Sequence, residues 1–120
     1  MLQITQVNPA TKTIEIVVDG RVTRESILDI YREVEEKGKS WGQVNFLEEF
    51  LGFDGIEPRA IWEDLRLYLK NSSLFKKVAL VTDKKWVSTL TKIADPLFKI
   101  DVKVFPLDKI SEARLWLATK

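Results

Sequence analysis

Lys77-Val78-Ala79-Leu80-Val81-Thr82 is the stretch that decides the fold of this chain. It is almost wholly apolar and rich in branched side chains, which is typical of a strand at the centre of a parallel sheet. Helical patterns precede and follow it, and strands that alternate with helices indicate an α/β fold.

Four further strands are predicted around this central one. Residues 2–7 alternate apolar and polar side chains, and residues 13–18 are mostly β-branched. The turn residues 8–11 lie between them, so the two strands form an antiparallel hairpin. The remaining strands are predicted over residues 44–50 and 101–105.

Four helices are predicted between and after these strands. The first follows the N-cap Thr23 and ends at Gly38, which lies where a C-cap glycine is common. Pro58 suits the first turn of the second helix. The third covers residues 86–98 and the last covers residues 111–118. The order predicts a single five-stranded, mostly parallel sheet whose first strand is antiparallel.

The two faces of the predicted sheet differ in polarity. One face is apolar throughout, and we expect the four helices to lie mainly on it. The other face is mixed, so we expect a loop, a ligand or a second copy of the chain to cover it. Its alternating positions are Glu15, Val17, Asn45, Leu47, Ala79, Val81, Lys103 and Phe105.

The composition excludes several classes of chemistry. The chain has 120 residues, enough for a single domain over residues 1–120, and it contains neither cysteine nor histidine. Thiolate nucleophiles, cysteine-ligated zinc and histidine bases are therefore absent. The adjacent carboxylates Glu48 and Glu49 point to opposite faces of a strand and cannot form a catalytic dyad. We expect no enzymatic activity, no cofactor and no metal.

The charge and the hydropathy limit the kinds of partner and the cellular compartment that fit this chain. The formal net charge of +1 argues against a nucleic-acid binder. Residues 1–53 carry 6 basic and 9 acidic groups, whereas residues 54–120 carry 13 and 9. This imbalance is either an ordinary solvated surface or a basic side that meets an anionic partner. No apolar run is long enough to span a bilayer, so we expect a cytoplasmic protein.

Several stretches of the chain resemble the small bacterial SpoIIAA-like proteins, which are grouped with STAS-type and CRAL-TRIO-type domains. The resemblance implies a STAS-like fold, and it implies binding of a hydrophobic small molecule or association with membranes. STAS regulators carry a phosphorylatable serine after the third strand, but residues 51–56 contain no serine or threonine. The matching stretches are 62–65, Lys70, 75–84, Trp86, 104–106 and 113–117.

Five residues are candidates for ligand binding because they lie near the carboxyl edge of the predicted sheet, where open α/β sheets bind ligands. Each has a structural alternative: the aspartates suit a turn or a helix N-cap, the lysine suits solvent, and the tryptophans suit the core. The candidates are Asp54, Trp62, Asp83, Lys84 and Trp86.

A second set of residues could contact a membrane or a partner. Leu90, Ile93, Leu97 and Phe98 belong to a wide apolar side of the third helix, which either packs on the sheet or lies on a membrane. Leu67 points away from the apolar stripe of its own helix and is expected to be exposed.

These features lead to two functional hypotheses. The first is a non-enzymatic binding domain for a small apolar or amphipathic, lipid-like ligand, with reversible peripheral contact with the inner membrane. The second is a protein–protein regulatory module of the STAS type that lacks the phosphorylatable serine, with a homodimer as one form.

Overall fold

The fold is known from a computed structural model, which describes residues 2–56, 63–64, 66–67, 70–83 and 101–119. Its strands are β1 (Leu2–Asn8), β2 (Thr13–Val22), β3 (Val44–Ile56), β4 (Phe75–Thr82) and β5 (Asp101–Pro106). Its helices are α1 (Arg24–Trp41) and α2 (Ile110–Ala118). Short 3₁₀ turns at Ser72–Leu74 and Leu107–Lys109 precede β4 and α2.

The five strands form one sheet in sequential order, β1-β2-β3-β4-β5. β1 pairs antiparallel with β2, and the other three pairs are parallel. The predicted α/β fold with a five-stranded mixed sheet is therefore confirmed. Because the parallel strands share one direction, their carboxyl ends meet at one edge.

β2 and β3 run further than predicted. The third strand is predicted to end at residue 50, before Asp54, but β3 continues to Ile56. Gly20 pairs with Phe53 and Val22 pairs with Ile56, whereas the β3–β4 pairing ends where Glu49 meets Val81. Backbone pairing with β2 keeps this glycine-containing stretch extended, which side-chain alternation does not reveal.

The first helix begins as predicted and ends later. The Thr23 hydroxyl accepts a hydrogen bond from the Ser26 amide, and the Ser26 hydroxyl accepts one from the Thr23 amide. Gly38 is buried inside α1, and Gly42 caps the helix with φ 84°, a conformation that favours glycine. A Cβ atom on Gly38 would lie 2.8 Å from Leu74, so close packing explains this glycine.

The expectation of four helices mainly on one face is wrong for the described residues, which hold two α-helices with defined ends, one on each face. The helical residues of the 63–71 segment, Glu63, Asp64, Arg66, Leu67, Lys70 and Asn71, belong to the predicted second helix. The third predicted helix, 86–98, lies outside the described residues.

Alternation along the strands separates two cores. The α1-side core includes Val44 and Phe46, and the α2-side core includes Leu47. One extra residue in β4 puts Phe75 and Val78 on the same face, because Val44 pairs with Phe75 and Phe46 pairs with Val78. The α2-side core consists of Leu47, Ala79, Val81, Phe105, Ala113 and Leu117.

Helix α2 covers the mixed face with apolar and polar contacts. The Lys77 ammonium is buried and donates to the carbonyls of Trp116 and Thr119, both at 2.9 Å, and to the Thr119 hydroxyl at 2.8 Å. The Asn45 amide donates to Leu117 O at 3.1 Å. Arg114 forms two hydrogen bonds with the buried Glu15 carboxylate. The chain's own C-terminal helix thus occupies the face that was expected to receive another occupant.

Candidate functional site

At the carboxyl edge of the sheet, the start of α1 lies close to the described residues of the 63–71 segment. Because β2 ends at Val22 and α1 begins at Arg24, the first turn of α1 lies at this edge. The Arg24 Nε atom donates to Glu63 Oε2 at 3.1 Å. Two turns further along α1, Tyr31 donates its hydroxyl hydrogen to Asp64 Oδ1 at 3.0 Å. Two consecutive acidic residues are therefore held by one face of α1.

A buried carboxyl cluster, formed by Glu48, Asp64 and Tyr31, lies between α1 and the sheet. Glu48 shares its face of β3 with Val44 and Phe46, so it points toward α1. Its neighbours in the adjacent strands are Ile16 and Leu80. A carboxyl group therefore occupies a position where the strand face is otherwise apolar.

Burial changes the acidity of this cluster. Glu48 as a whole is half-buried, but its carboxyl group is enclosed, and that burial, with the nearby Asp64 carboxyl, raises its pKa to about 8. Burial also raises the pKa of Asp64, and the hydrogen bond from Tyr31 partly offsets the rise. At neutral pH Glu48 is mostly protonated, so it is an uncharged group that can donate one hydrogen bond.

An arginine clasp, formed by Arg24, Glu63 and Arg66, lies beside the cluster. Arg66 donates from Nε and from Nη2 to Glu63 Oε1, and Arg24 holds the other carboxylate oxygen. The Glu63 side chain is 10% exposed, whereas those of Arg24 and Arg66 are 43% and 60% exposed. The hydrogen bonds from Arg66, followed by those from Arg24, lower the pKa of Glu63 and keep it ionised.

The structure locates only some of the predicted ligand-binding residues. Asp54 lies within β3 near its carboxyl end, and Asp83 is exposed directly after β4, so both are at the predicted edge. Trp62, Lys84 and Trp86 lie outside the described residues. The ligand-binding role of all five stays a prediction.

Of the residues predicted to contact a membrane or a partner, the structure describes only Leu67. Leu67 is 5% exposed and packs in the α1-side core, so the expectation that it is exposed is wrong. Its position on the helix was judged against residues of the same helix, but α1 and the sheet determine which side is buried. Leu90, Ile93, Leu97 and Phe98 lie outside the described residues.

Sequence reasoning missed the residues that form this site. Glu48 was examined only as a partner of Glu49, although it interrupts an apolar series that includes Val44, Phe46 and Phe50 on one strand face. That interruption is the signal that could have identified it. Nothing in the sequence pairs Arg24 with Glu63, because 39 positions separate them and only the fold brings them together.

Two properties of the described residues limit the chemistry of the site. Their acidic side chains include no group of three or more that could hold a metal ion. None of their helices has the length and apolarity needed to cross a membrane.

Comparison with known proteins places the chain in a family. The crystal structure of an uncharacterized protein of the DUF3478 family from Shewanella loihica PV-4, which has a SpoIIAA-like fold, superposes with a TM-score of 0.76. The two chains share 23% sequence identity over 88% of this chain and 83% of the other. A search of curated proteins finds no match. The SpoIIAA-like family model matches residues 13–118, so this chain belongs to the SpoIIAA-like family.

Proposed function

We propose that this chain is a non-enzymatic binding domain that takes a small amphipathic, lipid-like ligand at the carboxyl edge, between α1 and the sheet. The observation that carries the proposal is the enclosed, mostly protonated carboxyl group of Glu48 in an apolar strand face. The chain contains no histidine and no cysteine, so neither a histidine base nor a thiolate nucleophile is available to it.

A carboxyl group at position 48 has an energetic cost. An aliphatic side chain at this position would join the α1-side core, whereas a carboxyl group there must lose its solvation or its charge. No lysine or arginine of the described residues pairs with it. Residues that oppose folding in this way are concentrated at functional sites, because selection for binding can outweigh the loss of stability.

The surroundings of Glu48 set the chemistry of the ligand. Ile16 and Leu80 flank it in the neighbouring strands and suit an apolar chain. The protonated Glu48 carboxyl offers a hydrogen-bond donor, and the Tyr31 hydroxyl and the Asp64 carboxyl lie on the α1 side. A few polar groups in an apolar setting are typical of sites for amphipathic small molecules.

Native mass spectrometry of the freshly purified protein at pH 7 tests this proposal. We expect a retained ligand mass with the wild type and with Glu48→Gln, because an amide and a protonated carboxyl can both donate a hydrogen bond. We expect the retained mass to disappear in Glu48→Leu, which removes the polar group and adds an apolar one. The matched control is Glu36→Gln, on the exposed side of α1. Empty wild-type protein from several expression hosts would contradict the proposal.

Peripheral contact with the inner membrane is the second part of the proposed function. It depends on residues 86–98, which the structure does not describe, and on the exposed arginines of the clasp. Flotation with vesicles that contain anionic lipid tests it directly. If no protein floats at low salt, where electrostatic attraction is strongest, membrane contact is ruled out.

A protein–protein regulatory module is the second candidate function, and one exposed apolar residue favours it. Leu115 on α2 is 69% exposed, so a large apolar side chain faces solvent on the helix that covers the mixed face. The same mass spectra report the number of subunits. A wild-type homodimer that becomes monomeric in Leu115→Gln would support this candidate, and a wild-type monomer would argue against self-association.

A further inference from the structure

The two edges of the sheet differ in how well they are protected against pairing with another strand. β1 and β5 are the outermost strands, so each leaves a row of backbone N–H and C=O groups without a partner strand among the described residues. Charged side chains and proline on an edge strand oppose such pairing. β5 carries Asp101, Lys103 and Pro106, whereas the seven residues of β1 include no charge, no proline and no glycine.

A bulge in β1 determines which of its side chains share a face. The pairing with β2 shifts between Ile4 and Gln6, so Thr5 is the extra residue. Gln3 and Gln6 therefore lie on one face, the face of Glu15, and both are exposed. The other face of β1 is apolar, lies on the side of the α1-side core and is half-buried: its residues are Leu2, Ile4 and Val7.

We propose that the outer edge of β1 pairs antiparallel with β1 of a second copy of this chain, which joins two five-stranded sheets into one. A two-fold dimer uses the same surface of both copies, so the strand must complement itself. The interface lies at the opposite side of the sheet from α2, which packs on β3, β4 and β5. It is thus separate from Leu115 and from the ligand site at Glu48, and the inference goes beyond the proposed function.

The bulge gives β1 a register in which it complements itself. In the register where facing position numbers sum to nine, Leu2 of one copy lies opposite Val7 of the other, and Gln3 lies opposite Gln6. Apolar side chains then meet on the α1 side and continue its core across the edge, while amide side chains meet on the other side. The strand carries no charge, so no like charges oppose each other in this pairing.

Two double variants at exposed positions test the interface by sedimentation equilibrium over about 1–500 μM protein, the range of weak to moderate association. Gln3→Lys with Gln6→Lys puts lysine opposite lysine at both symmetric contacts, so we expect the Kd of the dimer to rise at least about tenfold. Gln3→Glu with Gln6→Lys puts opposite charges at the same contacts, and this variant should dimerise at least as tightly as the wild type. The two variants differ only at position 3.

Salt and a distant charge separate this contact from general repulsion between positively charged chains. Salt screens exposed charges, so a rise from about 50 to 500 mM should restore part of the dimer in the like-charged variant. Glu36→Lys adds the same two units of positive charge on the exposed side of α1 and should leave the Kd of the dimer unchanged. Thermal unfolding of each variant shows whether the fold is intact.

The results distinguish this inference from the proposed function. A wild-type chain that stays monomeric over the whole concentration range would overturn the inference, and so would equal Kd values for the two double variants. A dimer that is lost in Leu115→Gln but retained in both double variants would place the contact on α2 and would also overturn it. The ligand proposal is judged separately, because the retained mass in the native spectra does not depend on the number of subunits.

Discussion

Glu48→Gln is expected to raise the free energy of unfolding by about 3 kcal/mol at pH 7, although it changes only an oxygen atom to an NH₂ group. Burial raises the pKa of the Glu48 carboxyl from 4.5 to about 8 in the folded protein. At pH 7 the folded state must hold a proton that the unfolded chain has already released. Each unit of pKa difference corresponds to about 1.4 kcal/mol, and roughly 2.5 units lie between 4.5 and 7.

The sign of the pH dependence follows from this difference. Below pH 4.5 the carboxyl is protonated in both states, so it contributes no pH-dependent cost. Between about 4.5 and 8 the folded state binds more protons than the unfolded state, so stability falls as the pH rises. Above 8 the loss is complete and amounts to up to about 5 kcal/mol. Glutamine does not titrate, so the variant should lack this decline.

Urea unfolding at pH 5, 6, 7, 8 and 9 measures the effect. The difference between Glu48→Gln and the wild type should increase steadily from pH 5 to pH 8 and then level off. Glu36→Gln, on the exposed side of α1, is the control and should give curves parallel to those of the wild type. A constant difference between Glu48→Gln and the wild type at all five pH values would show that Glu48 does not titrate with a raised pKa.

The sequence was sufficient for the sheet because strand signals are local. Apolar–polar alternation and branched apolar runs predicted the five strands, and short connections between strands and helices led to the sequential, mostly parallel order. The residues at which strands and helices end were less predictable. β3 extends to Ile56 through backbone pairing with β2, and Gly38 lies within α1 as a close-packing position against Leu74 rather than as the end of the helix.

The faces and the site could not be predicted in the same way, because they depend on pairs of residues far apart in the sequence. The mixed face was expected to receive a loop, a ligand or a second copy of the chain, and its polar positions gave no sign that the C-terminal helix α2 covers it. The Glu15 carboxylate accepts hydrogen bonds from Arg114, and the Asn45 NH₂ group donates to the carbonyl of Leu117, 72 positions away. Likewise, Glu63 became recognisable as part of a site only once the fold placed Arg24 beside it.

Lys77→Met is expected to lower the free energy of unfolding by about 2–3 kcal/mol. The Lys77 residue is 7% exposed, and its ammonium donates all three of its hydrogens to Trp116 O, Thr119 O and Thr119 Oγ1. Two of these acceptors are carbonyls at the carboxyl end of α2, where a helix has unpaired carbonyls and partial negative charge. Methionine keeps most of the aliphatic stem but removes all three hydrogen bonds, and only Trp116 O keeps other donors, the amide and the hydroxyl of Thr119.

Lys76→Met is the matched control, because Lys76 is adjacent in β4 but exposed. We expect it to change stability by less than about 0.5 kcal/mol, as surface substitutions usually do. Amide hydrogen exchange adds a local measure, since loss of the ammonium should lower protection in α2 more than in α1. If the two lysine variants unfold at the same urea concentration and with the same exchange pattern, then apolar packing by Ala113 and Leu117, rather than the Lys77 ammonium, holds α2 on the sheet.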